Sequence, residues 1–101
     1  MSINAKRSLE RLQARAEDGD LYAQWRLADL YLGKETTKGN RAAIPWLRKA
    51  ARQGNPWAQY QLGYAYQEGL GVPRNKRLAM HYYQLSAAQG YDSAQLNLGI
   101  L

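Results

Sequence analysis

Gly54-Asn55-Pro56-Trp57-Ala58-Gln59-Tyr60-Gln61-Leu62-Gly63 has a near-copy on either side. Gly19-Asp20-Leu21-Tyr22-Ala23-Gln24-Trp25-Arg26-Leu27-Ala28 stands 35 residues upstream, and Gly90-Tyr91-Asp92-Ser93-Ala94-Gln95-Leu96-Asn97-Leu98-Gly99 stands 36 downstream. The glycine, alanine, glutamine and leucine positions are identical in all three. A second set also recurs: Ala43-Ile44-Pro45-Trp46-Leu47 ends seven residues before Gly54, and Ala79-Met80-His81-Tyr82-Tyr83 ends seven before Gly90. So many matches at one period of 20–50 residues are the signature of a stacked repeat array.

Each repeat reads as two helices, A then B. The glycine ends the preceding helix in a left-handed conformation and a capping side chain opens helix A. Asp20 and Asn55 are the expected caps and Asp92 the third, with Pro56 at the first helical position. In the second A helix Ala58, Leu62 and Tyr66 fall at i, i+4 and i+8, one apolar stripe. The small residue at position 63, matched by Ala28 and Gly99, admits a close neighbour. The B stripes are Ala43, Trp46, Leu47, Ala50 and Ala51, then Ala79, Tyr82, Tyr83, Ser86 and Ala87.

Gly69-Leu70-Gly71-Val72-Pro73 marks the second A–B turn, and the more polar stretch Gly33 to Gly39 marks the first. Pro45 sits inside the first B stripe, where a proline removes a helical hydrogen bond; a late helix start, near Ala42, is expected. Residues 5–18 read as a B helix without its A partner, through Leu9, Leu12 and Ala16. The expected layout is one domain over 1–101: a B half-repeat at 5–18, repeats at 19–53 and 54–89, and an A half-repeat at 90–101. The fold class is all-α, a right-handed superhelical solenoid of about six helices in antiparallel hairpins. The final A helix is expected to leave Leu98, Ile100 and Leu101 partly uncovered.

Composition agrees with a water-facing globular chain: of 101 residues, 46% are hydrophobic and 22% charged. No apolar run approaches the roughly 20 residues of a membrane span, and the start at Met1-Ser2-Ile3 lacks the apolar stretch of a secretory signal. With no cysteine, disulfides and thiol chemistry are excluded and a cytoplasmic setting is expected. The net charge of +6 is uneven. Arg41, Arg48, Lys49 and Arg52 lie on one B segment and Arg74, Lys76 and Arg77 at the next, both stretches without acids.

The pattern Gly54, Ala58, Leu62-Gly63, Tyr66, Gly69-Leu70-Gly71-Val72-Pro73, Ala79, Tyr82-Tyr83, Ala87 and Gly90 resembles the Sel-one-like repeat, a relative of the tetratricopeptide repeat. The resemblance covers residues 19–99, although the first copy lacks the Gly-x-Gly-Val turn. It implies helix hairpins wound into a superhelix and a bacterial adaptor or scaffold that binds proteins, with inhibitory or immunity-type partners among the roles. Secreted members often carry a disulfide in each repeat, so the lack of cysteine again points to the cytoplasm.

In such solenoids the A helices line the concave face. With the core stripe removed, the residues left on that face include Tyr22, Arg26, Asp29, Trp57, Gln61, Tyr64 and Asn97. Aromatic and arginine side chains dominate protein interfaces, so these seven are the candidate partner-binding residues. The competing account is that Tyr22 and Trp57 fill the junction between adjacent A helices, and that Arg26 and Asp29 form a surface pair of little energetic weight. The basic B face suits an acidic protein partner; nucleic acid is the weaker reading, because no aromatic platform accompanies the charge.

Catalysis finds little support. His81 stands alone beside Tyr82 and Tyr83, and no phosphate loop, dinucleotide fingerprint or metal-ligand spacing occurs. Neither cofactor nor metal is expected. The alternative from another class is self-assembly through the uncovered C-terminal helix.

Overall fold

In the computed structural model the described residues form six helices: α1 (Ile3–Glu17), α2 (Leu21–Leu32), α3 (Thr37–Arg52), α4 (Pro56–Glu68), α5 (Lys76–Ala87) and α6 (Asp92–Ile100). The structure describes residues 3–101; Met1 and Ser2, which open the N-terminal segment and the expected domain, lie outside the described residues. Each helix packs chiefly on the helices before and after it, and the result is elongated, 46 × 25 × 18 Å. This is an all-α helical-repeat solenoid. No helix among the described residues is long and apolar enough to cross a membrane.

The chain turns where the sequence says it should. Gly19, Gly54 and Gly90 have φ of 99°, 90° and 82°, a region that side-chain-bearing residues avoid. Asp20 and Asn55 then accept from the backbone N–H of Ala23 at 3.1 Å and of Ala58 at 2.8 Å. The third copy departs from this. Tyr91 occupies the cap position of α6 and no side chain caps it; Asp92 is instead the first helical residue, where its charge opposes the positive end of the helix dipole.

Pro45 does not delay α3. The helix begins at Thr37, with Pro45 inside it, so Gly39 belongs to the helix and not to the preceding turn. Two local causes outweigh the proline. The Thr36 hydroxyl caps the Gly39 N–H at 2.9 Å, and Gly39 is buried against α2, where a Cβ would come within 2.5 Å of the Tyr31 carbonyl. Pro45 itself lies on the exposed side, where water can satisfy the carbonyl its missing N–H leaves free.

The core runs through α2 to α6 as Ala28, Ala43, Ile44, Leu47, Ala50, Ala58, Leu62, Ala65, Ala79, Tyr83 and Ala94, with a smaller cluster of Ala16, Ala23 and Leu27 between α1 and α2. Gly63 sets the closest approach: a Cβ there would lie 2.6 Å from the ring of Tyr83. Tyr83 is fully enclosed; it donates to Gln67 Oε1 and accepts from Asn97 Nδ2. Burial pushes its phenol up from the usual tyrosine range.

The identical glutamines hold successive helices together. Gln24, Gln59 and Gln95 each donate to the carbonyl eight residues earlier, Ala16, Ala51 and Ala87, at 3.0, 3.2 and 3.4 Å. Gln53 donates to the Gly19 carbonyl and Gln24 Oε1, both at 2.9 Å. One repeat later, Gln89 donates to the Gly54 carbonyl at 2.8 Å and to Gln59 Oε1 at 2.9 Å. The carbonyls of Ala16, Ala51 and Ala87, which already accept from the N–H of Gly19, Gly54 and Gly90, thereby gain a second donor that ties one helix to the next.

Candidate functional site

Asp29, Trp57, Gln61 and Tyr64 line one groove of about 500 Å³ together with Leu32, Gly33, Glu35, Asn40 and Leu70. It lies between the C-terminal half of α2 and the outer side of α4, with both A–B turns at its rim. Helical spacing makes this possible: residues 57, 61 and 64 fall on one side of α4. Tyr64 is 39% exposed. Trp57 is partly buried against the core and meets Trp25 edge-on at 6.0 Å, so it both fills the junction between A helices and shows an edge to the groove. Glu35, at the rim, has a left-handed backbone (φ 52°), a conformation rare outside glycine; its N–H bonds to the Leu32 carbonyl at 3.0 Å. The lining carries two carboxylates, Asp29 and Glu35, and no cation.

Tyr22 and Arg26 do not join that groove. They line a second one, of about 530 Å³, with Ala5, Ser8, Leu9 and Leu12 of α1 and Leu30, Tyr31 and Lys34 at the other wall. Its charges are the reverse, since Arg26 and Lys34 are its ionised groups. Tyr22 and Arg26 occupy the repeat positions of Trp57 and Gln61, so they face the groove one repeat upstream. Arg26 and Asp29 form no ion pair: the ion pair among the described residues joins Arg15 to Asp20 at 2.7 Å. Arg26 instead holds its guanidinium 6.0 Å from the Trp25 ring. Asn97 touches neither groove and is committed to the Tyr83 hydroxyl at 3.1 Å.

Away from the grooves, the Arg15 guanidinium and the Ala23 N–H hold the Asp20 carboxyl below the usual aspartate range. On the B helices Arg48 donates to the Tyr66 hydroxyl at 2.9 Å and Lys49 lies 4.7 Å from the Trp46 ring centre, so part of the basic face is engaged within the fold. His81 is exposed and meets Tyr82 edge-on. Among the described residues no three acidic or histidine side chains gather closely enough to hold a metal ion. The sequence reading missed the part played by Leu70, Asn40 and Glu35. Two of them lie in the turns and Asn40 at the start of α3, and no helical spacing links turn residues to a helix face.

Comparisons with known proteins agree with this architecture. A family model for the Sel1 repeat matches residues 21–55 and 58–91. The chain is 35% identical over 96 residues to the DAP3-binding cell death enhancer 1 of Rattus norvegicus, covering 95% of this chain and 19% of that protein. It is 38% identical over 82 residues to the chitin synthase regulator SKT5 of Saccharomyces cerevisiae, covering 78% and 12%. Among solved structures, it superposes with TM-score 0.80 and 43% identity on a protective antigen of uropathogenic Escherichia coli displaying an SLR fold, over 91% of this chain and 20% of that one. A Sel1 repeat protein from Oxalobacter formigenes gives TM-score 0.76 and 39% identity, covering 92% and 71%. The chain thus spans about a fifth or less of the two curated relatives named here. Two matched repeats, the glycine-closed hairpins and the glutamine joints between them place this chain in the Sel1 repeat family.

Proposed function

We propose that the chain is a non-enzymatic adaptor that takes a protein segment into the groove between α2 and α4. The observation that carries this reading is the convergence of Asp29, Trp57, Gln61 and Tyr64 on one open, partly apolar groove. Aromatic edges beside unengaged amide and carboxylate groups are the chemistry of a peptide site. The carboxylates of Asp29 and Glu35 favour an occupant with apolar anchors and a lysine or arginine. An acidic partner fits the other groove and the basic B face better. Relatives named for binding DAP3 or regulating chitin synthase support protein binding as the mode of action. The cytoplasmic setting belongs to the same proposal.

Peptides selected from a random display library against the wild-type chain test it. Binding should be lost in Tyr64→Glu and weakened in Asp29→Asn, with helical circular dichroism unchanged, and should survive in Arg26→Ala. Selected peptides that bind Tyr64→Glu as well as wild type would sink the assignment.

A further inference from the structure

The two outermost helices are complementary halves of one hairpin. By repeat register α1 matches the B-type helices α3 and α5, and α6 matches the A-type helices α2 and α4. Each inner B helix has an A helix in front of it, but within residues 3–101 nothing stands in front of α1. Its Ser8, Leu9 and Leu12 match Ala43, Ile44 and Leu47, which are 0, 4 and 0% exposed under their neighbours. In α1 the same positions floor the open groove with Tyr22 and Arg26, and the latter two match Trp57 and Gln61, which face α2. The groove therefore has the outline of an A helix.

At the other end, within residues 3–101, no B helix stands behind the A helix α6. Gly63 receives the Tyr83 ring, 2.6 Å from where a Cβ would stand, whereas the matching Gly99 has nothing within 4 Å. Leu96 and Ile100 are 68% and 71% exposed. The residue matching Tyr83 in α1 is Leu12.

We propose that α6 of one copy seats in the α1/α2 groove of the next, with Leu12 set against Gly99 as Tyr83 is against Gly63. The joint continues the interface already present between α4 and α5. Charge contributes little: by register Asp92, the one ionised residue of α6, falls beside the next copy's Asp20, as Leu21 lies beside Asn55, and Arg26 and Lys34 stand further along the groove. One internal element is missing. Gln53 and Gln89 clamp each inner joint, and the matching residue before Gly19 is Asp18, whose carboxylate cannot donate to the Gly90 carbonyl. The joint between copies is therefore weaker than the inner ones. Because it is head-to-tail and repeats the internal rotation, it grows open chains of copies and does not close a dimer.

Sedimentation equilibrium of the 101-residue chain, from micromolar to millimolar concentration, tests this reading. The average mass should climb with concentration past that of two 11.5 kDa copies. Asp18→Gln, a change at an exposed position, should tighten association by about two- to tenfold by restoring the donor. Gly99→Glu should weaken it by at least about tenfold, by placing a charge in the seat of Leu12, with the circular dichroism unchanged. A monomer at every concentration would overturn the proposal, as would growth that stops at a dimer or is indifferent to Asp18→Gln. Peptide capture by the α2/α4 groove does not depend on this result.

Discussion

The joint of α3, α4 and α5 and the two end helices use the same repeat positions under different burial. Leu47 and Tyr83 are fully enclosed, while the matching Leu12 is half-buried at a groove floor. Gly63 lies under an aromatic ring and Gly99 faces open space. Gln59 is buried and clamped by Gln89, whereas the matching Gln95 is exposed, with a single 3.4 Å bond of its own. The contrast teaches that a repeat position gains its energetic weight from the helix stacked on it. Stability in such an array is the sum of weak units and the joints between them, so identical substitutions in different copies should have different costs.

The largest difference is expected at the leucines. Leu47→Ala should cost about 2–5 kcal/mol by emptying a closed core site, which lowers Tm by roughly 10–30 °C for a domain of this size. Leu12→Ala should cost less than half as much, and equal losses in thermal melts would break the comparison. Next come the glycines. Gly63→Ala should lose about 1–3 kcal/mol, because its methyl group must displace the Tyr83 ring. Gly99→Ala should hold or slightly raise Tm, since alanine is the better helix former and meets no neighbour.

The glutamines should differ in the same sense. Urea titration should show Gln59→Ala losing about 1–3 kcal/mol, as the Ala51 carbonyl loses its interhelical donor and Gln89 one of its two acceptors, while Gln95→Ala should stay within about 0.5 kcal/mol of wild type.

The smallest contrast is one of pH, between the matching caps Asp20 and Asn55. The Asp20 carboxyl is held below its usual 3.8 by Arg15. Its folded pKa is depressed, so its contribution is present above pH 3.8 and is lost as pH falls through the folded value. Asp20→Asn should flatten that limb of the Tm–pH profile, and Asn55→Asp should add one of the same sign. An unchanged acid limb in Asp20→Asn would remove the assigned cause.

Much of the fold was legible because its signals are local. A left-handed glycine followed by a capping residue stops one helix and starts the next at Gly19 and Gly54 whatever surrounds them. Legibility failed at Pro45, where a local rule met a competing interaction, and at Asp92, where the cap fell on the residue after the glycine, Tyr91, as in the other copies. At Pro45 the Thr36 cap and the packing of Gly39 outweighed one lost hydrogen bond; at Asp92 the helix kept its register and went without a side-chain cap. The candidate site was half legible. Residues 57, 61 and 64 share a helix face by spacing alone, but nothing in the spacing says that Tyr22 and Arg26 look into the preceding groove.

The amino-acid sequence by itself determined the period, through copies 35 and 36 residues apart, and the helices and the buried stripe, because those rest on side chains within a turn or two of one another. It also displayed the recurring glutamines without explaining them. Only the tertiary structure decided which copies of a position are enclosed, which grooves open between helices and which carbonyls the glutamines reach. Those depend on what stacks against each helix, and a stacking neighbour such as Tyr83, which packs on Gly63, lies 20 residues away in the chain, beyond the reach of local spacing.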